Sequence, residues 1–345
     1  MQTRIPNIVF SDGVSDETLQ DIEGFYQEWS NRQDTITVYT SGSTGSPKKM
    51  KLAKEKVRHS ARATGLFFSF QKGQKLLLNL SVKHIAGKLM LVRAWLFEMD
   101  IIVLPVARNP LLEEEVTELF NRHKPIHFGA FVPYQVSAIL ENDRTRALYA
   151  SIQQVIIGGA ALHSTLEEQL KELPNRNFAT FGMTETITHF ALRNLEQEQP
   201  VYSCLPGFTI KTDERNCLVL EANPLTDELI TNDRVLPIDS TRFEWLGRED
   251  FVINSGGVKI SPEQLERKVG YLFSDQAYFF FGKADQELGE RVVLFVEGKE
   301  QHTKGQLKGE LSKILNKYEV PKDVYFIPAF ERTGSGKVIR KDYTL

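Results

Sequence analysis

Residues 39–49 read YTSGSTGSPKK and follow directly on the strand-like run TITV at 35–38. Such a stretch is too polar and too flexible to be core, so something outside it must hold it in place. Serine, threonine and glycine in succession expose backbone N–H groups and hydroxyls, and Lys48 and Lys49 add positive charge. That combination suits an anion rich in oxygens, typically a polyphosphate. The P-loop pattern G-x-x-x-x-G-K-[ST] does not fit. Counted from Gly42, its second glycine falls on Pro47, and neither Ser nor Thr follows the lysines. On this stretch alone a flexible linker would explain the composition as well. The rest of the chain decides between them.

The 345 residues exceed what one hydrophobic core usually serves, which predicts two domains. An apolar content of 41% and a charged content of 25% are those of an ordinary globular protein. Lys+Arg number 42 against 45 Asp+Glu, a net charge of −3, which argues against a nucleic-acid partner. Cys204 and Cys217 are too few for a disulfide framework or a Cys-rich zinc site and read as thiols in a reducing compartment. The opening MQTRIPNIVFSDGVSDETLQ has no signal-peptide apolar stretch, and no apolar run is long enough to span a bilayer. The expectation is a cytoplasmic protein with no membrane partner.

Leu19, Ile22, Phe25, Tyr26 and Trp29 recur at helical spacing and predict an amphipathic helix over 16–30. From 36 to 181, β-rich runs at 36–40, 76–80, 101–105, 126–131, 153–157 and 177–181 alternate with helical stretches at 54–66, 86–97, 111–123, 133–141 and 164–173. That alternation predicts an α/β fold with a mostly parallel, helix-flanked sheet. Short alternating strands between 186 and 248, such as CLVLEA and RFEWLG, predict an antiparallel β subdomain. From about 251, helix 262–273, strands 277–281 and 291–297 and helix 304–317 predict a small α+β domain. The domains are therefore set at 1–249 and 250–345.

Four further stretches accompany the first: GGAAL (158–162), TFGMTET (180–186), WLGREDFVINSGGVKISPEQLE (245–266) and ERTGSGKVIRKDY (331–343). Together with 39–49, and in this order, they closely resemble the motifs of the acyl-adenylate-forming superfamily, the acyl-CoA synthetases and their relatives. The resemblance implies two half-reactions. A carboxylate attacks the α-phosphorus of ATP to give acyl-AMP and pyrophosphate, and the thiol of coenzyme A then displaces AMP. The attacking group is already an anion, so the first half needs placement and positive charge rather than a general base.

Carried onto this chain, the family pattern implies a role for each motif. Thr40, Ser41, Gly42, Ser43, Thr44, Gly45 and Lys48 would wrap the β- and γ-phosphates. Gly158, Gly159 and Ala160 would face the adenine, together with Phe181, Gly182 and Met183. Phe181 stands where the family usually has tyrosine, which keeps ring stacking and loses a hydroxyl. Thr184 would meet the α-phosphate and Glu185 would ligate Mg2+. Asp233 and Arg248 would hold the ribose, although Asn232 replaces the glycine of the family's Thr-Gly-Asp. Lys337 is the expected adenylation lysine, bridging substrate carboxylate and α-phosphate. Asp250 falls on the hinge about which the mobile C-terminal domain would rotate between the halves. That rotation would withdraw Lys337 and bring in Gly256 and Gly257, where a side chain would obstruct the pantetheine thiol. Outside these motifs Glu185, Arg248 and Lys337 would read as exposed surface charges.

SVKHIAGKLMLVRAW (81–95) resembles the family segment beside the acyl pocket. His84 would guard the carboxylate, or simply begin the helix. Lys88 and Arg93 lie five apart on helix 86–97, not quite on one face; as a cationic pair they suit an acid with a second carboxylate rather than a fatty chain, although Lys88 also reads as a solvated surface charge. The spacing His84, Gly87, Arg93 is similar to that of the family's o-succinylbenzoate–CoA ligases of menaquinone synthesis. The alternatives are another acid (aryl, short-chain or fatty), a catalytically silent nucleotide-binding regulator, or a module delivering to a carrier protein instead of coenzyme A. Only 38 residues precede Tyr39, far fewer than is usual in the family. The missing wall of the acyl pocket would come from residues 1–35, from a partner subunit in a homo-oligomer, or not at all. Lys49 also replaces a glycine common after Pro-Lys.

Overall fold

The structure, a computed structural model, describes residues 7–40, 48–222, 226–273, 276–300, 303–332 and 338–344. The chain opens with β1 (Ile8–Phe10) and α1 (Asp16–Ser30), whose N-cap Ser15 accepts a hydrogen bond from the Thr18 N–H. β2 (Thr35–Thr40) and β3 (Lys48–Ala53) pair antiparallel with each other, and among the described residues with no other strand. This corrects the expectation that 36–40 belongs to the parallel sheet. Parallel neighbours need a crossover of about a dozen residues or more, whereas only positions 41–47 separate these two strands.

Strand–helix alternation follows as expected: α2 (Lys54–Phe67), β4 (Lys75–Leu78), α3 (Ile85–Phe97), β5 (Asp100–Val103), α4 (Glu114–His123), β6 (Ile126–Phe131), α5 (Pro133–Leu140), α6 (Asp143–Ala150), β7 (Ile152–Ile157), α7 (Ser164–Lys171) and β8 (Arg176–Gly182). Strands β1, β5, β4, β6, β7 and β8 lie side by side and run parallel. Leu76, Leu78, Ile101 and Val103 face one core and Leu77 and Ile102 the other. Burial on both faces is why these strands read as unbroken apolar runs.

β9 (His189–Asn194), β10 (Val201–Cys204), β11 (Thr209–Thr212), β12 (Cys217–Ala222), β13 (Thr226–Pro237) and β14 (Arg242–Arg248) extend the same sheet antiparallel from β8, in the order β9-β10-β14-β13-β12-β11. The antiparallel region expected over 186–248 is thus continuous with the parallel one. Beyond a 3-10 turn at Glu249–Phe251, β15 (Ile253–Ser255), β16 (Val258–Ile260), α8 (Pro262–Val269), β17 (Tyr278–Asp285), β18 (Gly289–Glu297), α9 (Lys304–Ile314) and β19 (Asp323–Ile327) build a five-stranded sheet with its own core. The helix expected over 262–273 stops at Val269, and Gly270–Phe273 tightens into a 3-10 turn. A Cβ on Gly270 would fall 2.1 Å from Ser164 Oγ, so α7 packs directly on that turn.

α1 lies against α3 through Phe25, Tyr26 and Trp29, whose rings sit 5.6, 5.7 and 6.2 Å from Trp95. Residues from the short N-terminal segment therefore cover the helix that carries Lys88 and Arg93. Among the described residues no helix is long and apolar enough to cross a membrane.

Candidate active site

β7 and β8 are parallel neighbours, so the segments leaving their carboxyl ends lie together, where ligands bind in open α/β sheets. Gly158, Gly159 and Ala160 follow β7, and Phe181 and Gly182 end β8, with Met183 next. The Gly158 N–H donates to the Phe131 carbonyl at 3.1 Å, and a Cβ on Gly158 would fall 2.1 Å from Thr180 Oγ1. Gly182 is tighter still: a Cβ there would meet the Thr188 carbonyl oxygen at 2.3 Å and His189 Cα at 2.4 Å. Both contacts are backbone, which cannot step aside cheaply. Gly182→Ala is expected to cost about 2 kcal/mol or more of stability, read as a lower thermal midpoint.

Between β8 and β9 the chain makes a 3-10 turn at Thr184–Thr186. Thr186 Oγ1 accepts from the Met183 N–H at 3.0 Å and lies 2.9 Å from the Met183 carbonyl. Ile187 is held at φ 69°, a strained conformation for a β-branched residue. The turn leaves Glu185 exposed. The side chain of Thr184 lies outside the described ones. Among the described residues no three His, Cys, Asp or Glu side chains converge as a ready-made metal cage. A lone exposed carboxylate fits Mg2+ of the kind that takes its other ligands from phosphates and water.

Asp233 and Arg248 are register partners on β13 and β14. Asp233 is buried, accepts from Trp245 Nε1 at 3.0 Å and lies 3.7 Å from Arg248 Nη1. Trp245 in turn borders Phe181, whose ring packs among Phe190, Tyr202 and Phe243 at 5.2–5.5 Å. The expected ribose pair and the expected adenine-side ring therefore share one wall. Asp250 is also here: Arg248 Nε donates to Asp250 Oδ2 at 3.2 Å, and Asn232 Nδ2 donates to Asp250 Oδ1 at 2.8 Å.

Ser41, Gly42, Ser43, Thr44, Gly45 and Lys337 lie outside the described residues, as do the side chains of Thr40 and Lys48. The backbone of β2 and β3 brings Thr40 and Lys48 opposite each other, bracketing 41–47. Arg332 and Val338 form an antiparallel bridge that likewise brackets 333–337. Burial, and then the charge of Arg332, lowers the pKa of His163, just before α7. The segment that follows Gly158–Ala160 also meets the C-terminal unit at Ser164, on which the Gly270 turn packs. Arg340 pairs with Glu266 of α8 (Nη1–Oε1 2.9 Å) and stacks over Phe251, 5.1 Å from the ring centre. Burial pushes the Glu266 carboxyl up to about 7 against the pull of Arg340.

Gly256 and Gly257 form the turn between β15 and β16, at φ +58° and +81°. Two consecutive positive φ angles make the tight hairpin turn that glycine alone adopts without strain. This is a backbone reason for the glycines beside the steric one expected from the resemblance. Among the described residues, a Cβ on Gly257 would meet nothing within 4 Å.

His84 occupies the N-cap position of α3, with its side chain exposed. The expectation that Lys88 and Arg93 act as one cationic pair is corrected. Five residues apart on a helix of 3.6 per turn, they diverge by about 140°. Lys88 Nζ donates to Glu28 Oε2 at 3.2 Å and sits over the Phe25 ring, so its charge is met by α1. Arg93 points into the core and is 2% exposed. Its Nη1 donates to Met90 Sδ and its Nη2 to Thr64 Oγ1, each at 3.3 Å, while Nε meets no partner among the described residues. Burial pushes the guanidinium down to about 9, which leaves it charged at neutral pH. His189 Nε2 lies 3.2 Å from the same Thr64 hydroxyl, and burial together with Arg93 holds its imidazole neutral.

Thr64, His189 and Trp245 were absent from the residues singled out in the sequence. His189 and Thr64 are 125 positions apart, and no spacing rule links them. Asn232 was noticed only as a departure from a motif; its bond to Asp250 depends on β13 lying beside the turn after β14.

The sequence pattern of the AMP-binding enzyme family matches residues 5–215, and that of the AMP-binding enzyme C-terminal domain matches 276–337. An acyl-CoA synthetase (AMP-forming)/AMP-acid ligase II-like protein from Dyadobacter fermentans is 32% identical, with 97% of this chain and 95% of that one covered and a TM-score of 0.65. The probable 2-succinylbenzoate–CoA ligase of Mycobacterium tuberculosis is 26% identical over 88% of this chain and 82% of its own length. The O-succinylbenzoate coenzyme A synthetase of Bacillus subtilis, solved with ATP and magnesium ion, is similar in fold with a TM-score of 0.73 at 20% identity, over 89% of this chain and 69% of that one.

Proposed function

The chain belongs to the AMP-binding enzyme family, and on that premise we propose that it is an AMP-forming acid–CoA ligase whose acid is o-succinylbenzoate. The observation that carries the choice of acid is Arg93, a buried cation that meets no carboxylate among the described residues. A buried charge is costly unless a counter-charge accompanies it. A second carboxylate on the substrate would supply one, and a fatty chain would not. The names of the curated relatives point the same way.

In this reading ATP sits across the ends of β7 and β8. Residues 40–45 and Lys48 cradle its outer phosphates, and Asp233 and Arg248 take the ribose hydroxyls. Phe181, Gly182 and Met183 border the adenine with Gly158, Gly159 and Ala160. Glu185 and Thr184 face the phosphates, and bound Mg2+ would offset the negative charge gathered there. Arg93 and His84 orient the acid, and its free carboxylate reaches the α-phosphorus with Lys337 bridging the two anions. Coenzyme A enters after residues 250–345 pivot at Asp250 and the Gly256–Gly257 turn replaces Lys337.

The test is acid-dependent pyrophosphate release with Mg-ATP over a panel of o-succinylbenzoate, benzoate, acetate and palmitate. Release fastest with o-succinylbenzoate is expected. Preference for palmitate would overturn the assignment of the acid, and the absence of release with every acid would favour a silent nucleotide-binding protein.

A further inference from the structure

Asn232 is held at both ends of its amide. Arg215 Nη1 donates to Asn232 Oδ1 at 2.9 Å, and Asn232 Nδ2 donates to Asp250 Oδ1 at 2.8 Å. Arginine only donates and an ionised carboxylate only accepts, so these two neighbours allow the amide one orientation. Arg215 is itself fixed: its Nε donates to Asp213 Oδ2 at 2.9 Å and its Nη2 to the Thr231 carbonyl at 3.1 Å. The amide is therefore set in place before it meets Asp250.

Asp250 lies in the turn that joins the twelve-stranded sheet to the five-stranded one. Its other carboxylate oxygen is held by Arg248, the residue that also faces Asp233. Both oxygens of Asp250 are thus tied to β13 and β14. In this arrangement the turn after α8 packs on α7, where a Cβ on Gly270 would fall 2.1 Å from Ser164 Oγ, whereas a Cβ on Gly257 would meet none of the described residues within 4 Å. We propose that Asn232 is a positioning residue: with Arg248 it clamps Asp250 and biases the chain toward the arrangement that serves adenylate formation. Glycine, usual at this position in the motif the chain resembles, would leave Arg248 as the sole clamp. The inference rests on the reading of Asp250 as the pivot.

Three variants, Asn232→Gly, Asn232→Asp and Arg215→Lys, test it in the full chain by separate assay of the two half-reactions. Losing one hydrogen bond to a charged acceptor is worth about tenfold in an equilibrium. Asn232→Gly should therefore shift the ratio of acyl transfer (from supplied acyl-adenylate to coenzyme A) to adenylate formation about tenfold toward transfer. Asn232→Asp, which sets a like charge beside Asp250, should shift it further, and Arg215→Lys less. Hydrogen exchange at the Val252 amide, bonded to the Glu249 carbonyl in the wild type, should quicken in the same order. An equal change in both halves, or an unchanged ratio with unchanged exchange, overturns the clamp. The reading beneath it fails separately: wild-type protein would form no adenylate, or Asp250→Pro would leave the passage between halves unimpaired.

Discussion

Lys337→Ala is expected to slow adenylate formation by about a thousandfold, roughly 4 kcal/mol of transition-state stabilisation. Transfer from supplied acyl-adenylate to coenzyme A is expected to change less than about threefold, because in the proposed mechanism the lysine serves only the first half. The physical reason is that two anions must be driven together. Once ATP is bound, the approaching carboxylate meets an α-phosphate already carrying charge, and an ammonium placed between them would lower the barrier. Pyrophosphate release in a stopped-flow assay reads the first half, and thioester absorbance the second. Equal loss in both would contradict a lysine that serves one half and leaves for the other.

Arg93→Met separates a binding role from a structural one. Replacing an unpaired buried charge with an apolar side chain of similar length is often neutral or stabilising. The thermal midpoint should hold or rise. Binding of a dicarboxylate, by contrast, loses the partner of a buried charge, a cost of about 2–5 kcal/mol. KM for o-succinylbenzoate should rise about a hundredfold, with KM for benzoate changing by less than about threefold. A fall in stability with equal losses for both acids would mean that Arg93 only braces α3, α2 and β9 through Thr64 and His189.

The sequence exposed its repeating parts readily. Strands buried on both faces appear as apolar runs such as LLLNL and IIVLP, and the helices between them as amphipathic stretches, so the parallel half of the sheet was legible. β1, α6 and β19 were not. β1 is three residues long, and its place is fixed by pairing with β5, far away in the chain. β2 was misplaced and β3 missed, because a strand's neighbours are set by tertiary contacts that its own residues do not encode.

At the site the pattern was similar. Asp233 and Arg248 were found by motif and do lie together, because the β13–β14 register places them side by side. The five-residue spacing already set Lys88 and Arg93 off one helix face; what the sequence did not show was the partner each would meet. Glu28, which meets Lys88, comes from a helix 60 positions earlier. The glycines show the limit of a purely functional reading: Gly256 and Gly257 are demanded by the turn itself, whatever passes over them. Asn232 looked like a blemish in a motif until Asp250 was seen across from it.

The most direct measurement is a single turnover with α-labelled ATP, Mg2+ and o-succinylbenzoate, with coenzyme A withheld and added only later. The account predicts a labelled acyl-adenylate that accumulates to about one per chain, with one pyrophosphate released, and is discharged to AMP when coenzyme A arrives. Intact ATP, or cleavage to ADP and phosphate, would contradict it.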